Sequence, residues 1–241
     1  MIIYQNDVIG FRTAVDTNRI VNDIDAQFSE KFGMRVQDSE RRSWNNSLRF
    51  METALRLAKI PDDGGVLIEY NIPSTSKRID FIVSGHDEQD NPNFVIIELK
   101  QWDKAEATDK EDLVIAYTGR ALREVAHPSY QAYSYKKYLM DMNEAVYSNS
   151  VNPFSCAYLH NFPRRNPEPI LSPQYMEIVK DTPVFFTDDI EKLEDFLRRY
   201  VGKGQGKEIL YQIENGKIRP SRKFVEYVSS MFDGISSLHA S

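Results

Sequence analysis

Three runs near the middle of the chain, residues 66–72, 77–84 and 94–100, alternate their side chains with a period of two, and this alternation constrains the fold more than any other feature. Successive side chains of a strand point to opposite faces, so each run sorts its residues into two sets. One set is Val66, Ile68, Tyr70 and Ile72, then Ile79, Phe81 and Val83, then Val95, Ile97 and Leu99, which predicts a continuous apolar face. The other set collects Glu69, Asp80, Glu98 and Lys100. Only Pro73-Ser74-Thr75-Ser76 and a polar loop at 87–93 separate the runs, so they read as an antiparallel meander. With each hairpin symmetric about its loop, Glu69 falls opposite Asp80 or one residue away, and Asp80 falls opposite Glu98.

Helical periodicity surrounds the meander. Ile20, Val21, Ile24, Phe28 and Phe32 predict a helix over 18–32 that stops at Gly33, and Trp44, Ser47, Leu48, Met51, Leu55 and Ala58 predict a second over 39–59. Further on, 129–147 reads as a helix, 154–160 and 182–187 as strands, and 189–201 as a helix closed by Gly202. The order predicts an α/β fold, with a central mixed sheet flanked by helices on both sides. Residues 1–201 are expected to form that domain with an N-terminal helical extension, and 202–241 a helical tail or connector. The glycines at 202–206 do not read as a phosphate loop, because a helix precedes them and no Gly-Lys-Ser/Thr follows.

Hydrophobic residues are 41% of the 241-residue chain and charged residues 27%, with no apolar run long enough to span a bilayer. The N-terminus lacks a secretory pattern and Cys156 is the single cysteine, so a cytoplasmic protein with no membrane partner and no disulfide is expected. A net charge of −6 argues against binding nucleic acid by bulk electrostatics alone. It is compatible with an enzyme that concentrates acids around a metal and bases along a phosphate path. Basic pairs such as Lys77-Arg78, Lys136-Lys137 and Arg164-Arg165 also read simply as solvated surface.

Carboxylates aligned across neighbouring strands repel unless a cation or a proton intervenes. Asp80 and Glu98, with the Leu99 carbonyl, offer the hard oxygens that magnesium or manganese prefers. Lys100 shares the face of Glu98 and could aim its ammonium at a phosphate. A metal with one lysine covers what phosphodiester hydrolysis needs: an activated water and neutralised charge on phosphorus and leaving oxygen. The competing expectation is an exposed, salt-bridged face of a half-solvated sheet.

Arg78-Ile79-Asp80 followed by Ile96-Ile97-Glu98-Leu99-Lys100 resembles the signature of the PD-(D/E)XK nuclease superfamily. Gln131 and Tyr135, one helical turn apart in the run 127–135, are similar to the helix motif of its RecB-like branch. Ser43-Trp44-Asn45-Asn46-Ser47-Leu48, Ile68-Glu69-Tyr70-Asn71-Ile72-Pro73, Ala107-Thr108-Asp109-Lys110 and Arg219-Pro220-Ser221 resemble the N-terminal, nuclease-like region of bacterial Schlafen-like superfamily 1 DNA/RNA helicases. The resemblance implies a metal-dependent nuclease acting on nucleic acid, DNA favoured, with Asp80 and Glu98 on the metal, Lys100 on the transition state, and Gln131 and Tyr135 on the substrate or the lysine. It also implies a helicase or ATPase partner in cis or trans, since no Walker A motif occurs in the sequence. A non-catalytic or latent module of the same fold is the alternative.

Superfamily members often carry another acid on the preceding helix. Glu40 fits that place better than Glu52, or else merely favours the helix N-terminus. Glu69 either joins the site or pairs with Arg78. His127, ahead of Pro128, is expected to cap a helix, Cys156 to be an inert buried thiol, and Trp102 to be a core or rim aromatic or to stack on a base.

Overall fold

In the computed structural model, which describes residues 2–148 and 150–238, the chain opens with a strand, β1 (Ile2–Asp7). Three helices follow: α1 (Val8–Asp16), α2 (Ile20–Phe32) and α3 (Asp38–Leu57). Asp7 caps α1 by accepting the Gly10 amide, and Gly33, at a left-handed φ, ends α2. The alternating runs become β2 (Gly65–Asn71), β3 (Arg78–His86) and β4 (Pro92–Lys100). Next come β5 (Ala105–Ala107), β6 (Leu113–Thr118) and β7 (Ala121–Ala126), then α4 (Pro128–Met142) and α5 (Glu144–Tyr147). The chain continues through β8 (Asn152–Leu159), α6 (Met176–Asp181), β9 (Val184–Phe186), α7 (Ile190–Val201), α8 (Lys207–Asn215) and α9 (Arg222–Leu238).

The fold is α/β, as expected. Six strands form a mixed sheet in the order β1-β2-β3-β4-β8-β9, antiparallel as far as β4 and parallel from there. Strands β5, β6 and β7 form a second, antiparallel sheet, and α4 provides the crossover back to β8. Neither β1 and α1 nor the second sheet is part of the expected order. In residues 105–126 the alternation is diluted by Glu106, Arg123 and Glu124, which leaves the strand period weak.

The single apolar face is corrected by the packing. The large sheet is covered on both sides, by two distinct cores. Val66, Ile68, Phe81, Val83, Val95 and Ile97 pack with residues of α1, α2, α3 and α7, among them Phe11, Leu48, Met51 and Leu197. Leu67, Ile82, Phe94 and Ile96, from the opposite parity, pack with Leu139 of α4 and with Ile209, Leu210 and Ile213 of α8. Tyr70 and Ile79 also belong to this second core, although each lies two residues from a first-core neighbour, Ile68 or Phe81. The alternation therefore breaks at Glu69 and Asp80. Glu69 has φ +59°, a conformation that costs a non-glycine residue about 1 kcal/mol or more. The register is nevertheless continuous across it, Ile68 pairing Phe81 and Tyr70 pairing Ile79, so no residue is inserted.

A third core joins the small sheet to the large one, through Ala105, Val114 and Ala116 against Ala157, Leu159, Phe162 and Phe186. The glycine-rich segment serves packing: a Cβ on Gly206 would sit 2.2 Å from the Gly65 nitrogen and the Ser84 oxygen.

Candidate active site

β3 and β4 pair only as far as Phe81 and Ile97, whereas β4 keeps its partner β8 through Lys100 and Leu159. One edge of β4 is thus open at its C-terminal end, and the strands fork. The freed Leu99 amide donates to Asp80 Oδ2 at 3.0 Å, so a carboxylate takes over the missing ladder bond. The Leu99 carbonyl leaves the strand on this same open edge, since the amide and carbonyl of one strand residue point the same way. A cleft of about 460 Å³ opens here, lined by Glu40, Trp44, Glu69, Arg78, Asp80, Glu98, Leu99, Lys100 and Gln131 along with neutral side chains.

Glu98 is 1% exposed. Its Oε1 accepts from Lys100 Nζ at 2.7 Å, but its buried Oε2 receives no hydrogen bond, and the Asp80 carboxyl stands within hydrogen-bonding reach. Burial, then the charge of Asp80, push the Glu98 pKa well above the usual carboxylate range, against the opposing pull of Lys100. Without a cation, Glu98 therefore retains a proton to higher pH than an ordinary glutamate. Lys100 is half-buried, which disfavours its charge, yet Glu98 and Asp80 outweigh that and hold its pKa above the usual lysine value. It remains an ammonium.

The helix α4 completes this cluster. Lys100 Nζ also donates to Gln131 Oε1 at 2.9 Å, and Gln131 Nε2 donates to Tyr135 Oη at 2.9 Å. Gln131 and Tyr135 thus share a helical face, as their spacing predicts, and that face grips the lysine. Burial, followed by the negative charge of Glu98, raises the Tyr135 pKa, so the phenol stays neutral. The Trp102 ring lies beneath the ammonium, 5.3 Å from ring centre to Nζ.

A second charged cluster borders the first. Arg78 bridges Glu40, at 2.7 Å, and Glu69, while Trp44 Nε1 donates to Glu69 Oε1 at 2.6 Å. Burial and Asp80 raise the Glu69 pKa, with Arg78 and Trp44 opposing. Glu69 pairs with Arg78 and also lines the cleft, opposite Asp80 in the strand register, so the two places the sequence leaves open for it coincide. Glu40 sits in the first turn of α3 and faces the cleft, whereas Glu52 is engaged elsewhere by Arg12 and Arg56.

The salt bridge of the competing sheet-face expectation is present between Lys100 and Glu98, but the face is not exposed there, since Glu98 is buried. Trp44 was legible only as part of an apolar helical stripe, and Ser43 and Ser47 not as cleft residues at all. Gln101 Nε2 ties the two serines to the end of β4, at 2.6 Å and 3.0 Å, and Ser47 Oγ meets His160 Nε2 at 3.0 Å. A run of small polar residues on one helical face was the available signal. His127 is a buried cap, accepting the Ser129 amide at 3.2 Å with Nε2 on the Ile170 carbonyl at 2.9 Å, and Cys156 is buried with its thiol pKa raised by burial.

Among the described residues, no group of three or more histidine, cysteine, aspartate or glutamate side chains is placed to hold a metal ion. Of the four carboxylates that line the cleft, Glu40 and Glu69 are paired with Arg78, which leaves Asp80 and Glu98 beside the Leu99 carbonyl. Comparison with protein-family models, with curated proteins and with solved structures gave no match.

Proposed function

We propose that this chain is a metal-dependent nuclease of the PD-(D/E)XK type, hydrolysing phosphodiester bonds of nucleic acid, DNA by preference. One observation carries the assignment: Asp80, Glu98 and Lys100 meet at the fork of β3 and β4, where Glu98 Oε2 is buried without a donor beside a second carboxylate. A buried, unsatisfied carboxylate oxygen is costly unless a proton or cation completes it. Magnesium or manganese fits this donor set, because magnesium commonly binds through one or two carboxylates and takes its remaining ligands from water and substrate phosphate. Asp80, Glu98 and the Leu99 carbonyl would hold the ion, which when bound polarises phosphate and lowers the pKa of water.

The chain's own residues supply the rest. Lys100 is kept charged in a cleft partly screened from water, where one fixed ammonium counts for more against charge building on phosphorus oxygens than it would in bulk solvent. Gln131, steadied by Tyr135, fixes the direction of that ammonium. Arg78 is already neutralised by Glu40 and Glu69, so its part is to hold the rim of the cleft in shape. The likeness to the N-terminal region of Schlafen-like helicases extends the proposal to a helicase or ATPase partner that delivers substrate.

A latent form of the same site is the second reading, favoured by Lys100 being tied to both Glu98 and Gln131. Incubating the purified protein with linear, circular and single-stranded DNA and with RNA, in magnesium, manganese or EDTA, separates the two. The nuclease assignment expects cleavage with either metal, none in EDTA, and loss of cleavage in Glu98→Gln. Binding without cleavage of any substrate supports the latent module, and cleavage in EDTA contradicts the metal site.

A further inference from the structure

We infer that the hairpin of β6 and β7, rooted beside the cleft, is an arm that holds single-stranded nucleic acid, its tip packing against bases and its two arginines taking phosphates. The choice of nucleic acid as occupant rests on the proposed function. The arm is inserted between two residues of the site, Lys100 at the end of β4 and Gln131 on α4. Its root is anchored there: Ala105, Val114 and Ala116 are buried in the third core, and Trp102, packed against that core, underlies Lys100. From Leu113 to Thr118 the arm rises roughly 15 Å at strand spacing.

The tip is unlike the rest of the arm. It turns at Gly119 and Arg120, both at left-handed φ, the form expected of a tight two-residue hairpin turn. Just below, Tyr117 and Leu122 are directly paired across the strands and so share one face. They are 56% and 67% exposed, so a flat ring and a branched side chain stand side by side in solvent. Arg123 curls over the turn, its guanidinium carbon 3.7 Å from where a Cβ on Gly119 would lie.

Charge separates tip from root. Glu124, the one acid on the two strands of the hairpin, is paired with Lys110 at 2.8 Å, and Glu106 of β5 with Arg165 at 3.3 Å, while the acids Asp109, Glu111 and Asp112 lie in the loop at the root. Arg120 and Arg123, by contrast, form no ion pair among the described residues. An exposed aromatic with an aliphatic neighbour and two uncommitted guanidiniums, on a chain of net charge −6, matches the chemistry of unpaired bases on a phosphate backbone. A duplex hides its base faces in the stack and offers such a tip only phosphates. A protein partner would use the apolar pair but would not require both arginines.

The test is fluorescence anisotropy of a labelled oligonucleotide in EDTA, single-stranded or annealed to its complement. Tyr117→Ala/Leu122→Ala is expected to weaken single-strand binding about tenfold, the size of losing a stacking contact, and duplex binding less. Arg120→Gln/Arg123→Gln is expected to weaken both and to flatten the dependence of log affinity on log salt by about 1.4, for two phosphate contacts on a single strand. A photoreactive residue in place of Tyr117 is expected to crosslink to the single strand. Wild-type affinity in both double variants, with no crosslink from position 117, overturns the arm, as does a change confined to self-association. Binding in EDTA needs no catalysis, so the two ideas fail separately. A wild type that binds through the arm but never cuts sinks the nuclease assignment, whereas a cutting enzyme indifferent to the arm variants sinks the arm alone.

Discussion

Two charged clusters lie side by side at the fork of β3 and β4, and they solve the same electrostatic problem differently. Around Arg78 the charges close on themselves: the guanidinium spans Glu40 and Glu69, Glu69 Oε2 is held by that ion pair and by no hydrogen bond, and the Trp44 indole donates to Glu69 Oε1. Around Lys100 they do not close: two carboxylates stand beside one ammonium, and Glu98 Oε2 is left without a donor. Both carboxyls are buried and both have raised pKa values. Each cluster holds two carboxylates and one cation; the difference is that Arg78 reaches both of its carboxylates, whereas Lys100 pairs with Glu98 alone and Asp80 forms no ion pair among the described residues. An arrangement of the first kind holds shape, whereas one of the second kind is ready to accept something.

The largest expected effect breaks the closed cluster. Arg78→Ala strands Glu69, and removing one partner of a buried pair costs about 3 kcal/mol, taken at the low end of the range because Arg78 is partly exposed. The sign with pH follows from the raised carboxyl. Below the unfolded-state pKa of about 4.3 Glu69 is protonated in both states and needs no counter-ion. As pH rises from there through the folded-state pKa, the unfolded chain ionises first and stability is lost. Denaturant melts at pH 5 and pH 8 are expected to differ more for Arg78→Ala than for wild type. Equal losses at both pH values would place the damage in packing instead.

The next effect is catalytic. Lys100→Met is expected to lower the cleavage rate roughly a hundredfold, typical of losing one electrostatic stabiliser, while manganese affinity stays the same or tightens because a repelling charge is gone. Single-turnover rates paired with calorimetry measure both, and a wild-type rate removes the lysine from the chemistry. A smaller effect belongs to Gln131, a positioning residue that touches Lys100. Gln131→Ala is expected to cost roughly tenfold in rate, comparable to losing a partner that orients a functional group. Gln131→Glu, which keeps an acceptor for the ammonium, is expected to recover part of that loss. Equal rates in the two variants would mean that Gln131 does not aim the lysine.

The same contrast explains what was readable in the sequence. Asp80, Glu98, Lys100, Gln131 and Glu40 all line one cleft, because cross-strand register brings Asp80 to the end of β4, and strand parity and helical spacing decide which way the others point before any tertiary contact forms. The helix over Trp44, Leu48, Met51 and Leu55 was legible for the same reason. Glu69 was legible as a cleft residue opposite Asp80 and paired with Arg78; its left-handed φ was not, because nothing local in Ile68-Glu69-Tyr70 marks it. The second core was missed because a strand buried on both faces loses the apolar/polar contrast that reveals orientation. The small sheet was missed where the acids Glu106 and Glu124 sit within its strands and are paired with Arg165 and Lys110 outside them.

The claim that the open cluster awaits a cation is tested most directly by manganese calorimetry on wild type and Asp80→Asn, joined to their melting temperatures in EDTA. Wild type is expected to bind manganese with release of a proton, because Glu98 holds one above the usual carboxylate range, and to bind more tightly as pH rises through that raised value. Asp80→Asn is expected to lose most of the binding yet to melt in EDTA at the same or a higher temperature, since a carboxylate repulsion is relieved. If wild type takes up no manganese and Asp80→Asn melts clearly lower, Asp80 is a structural acceptor for the Leu99 amide and the fork is not a metal site.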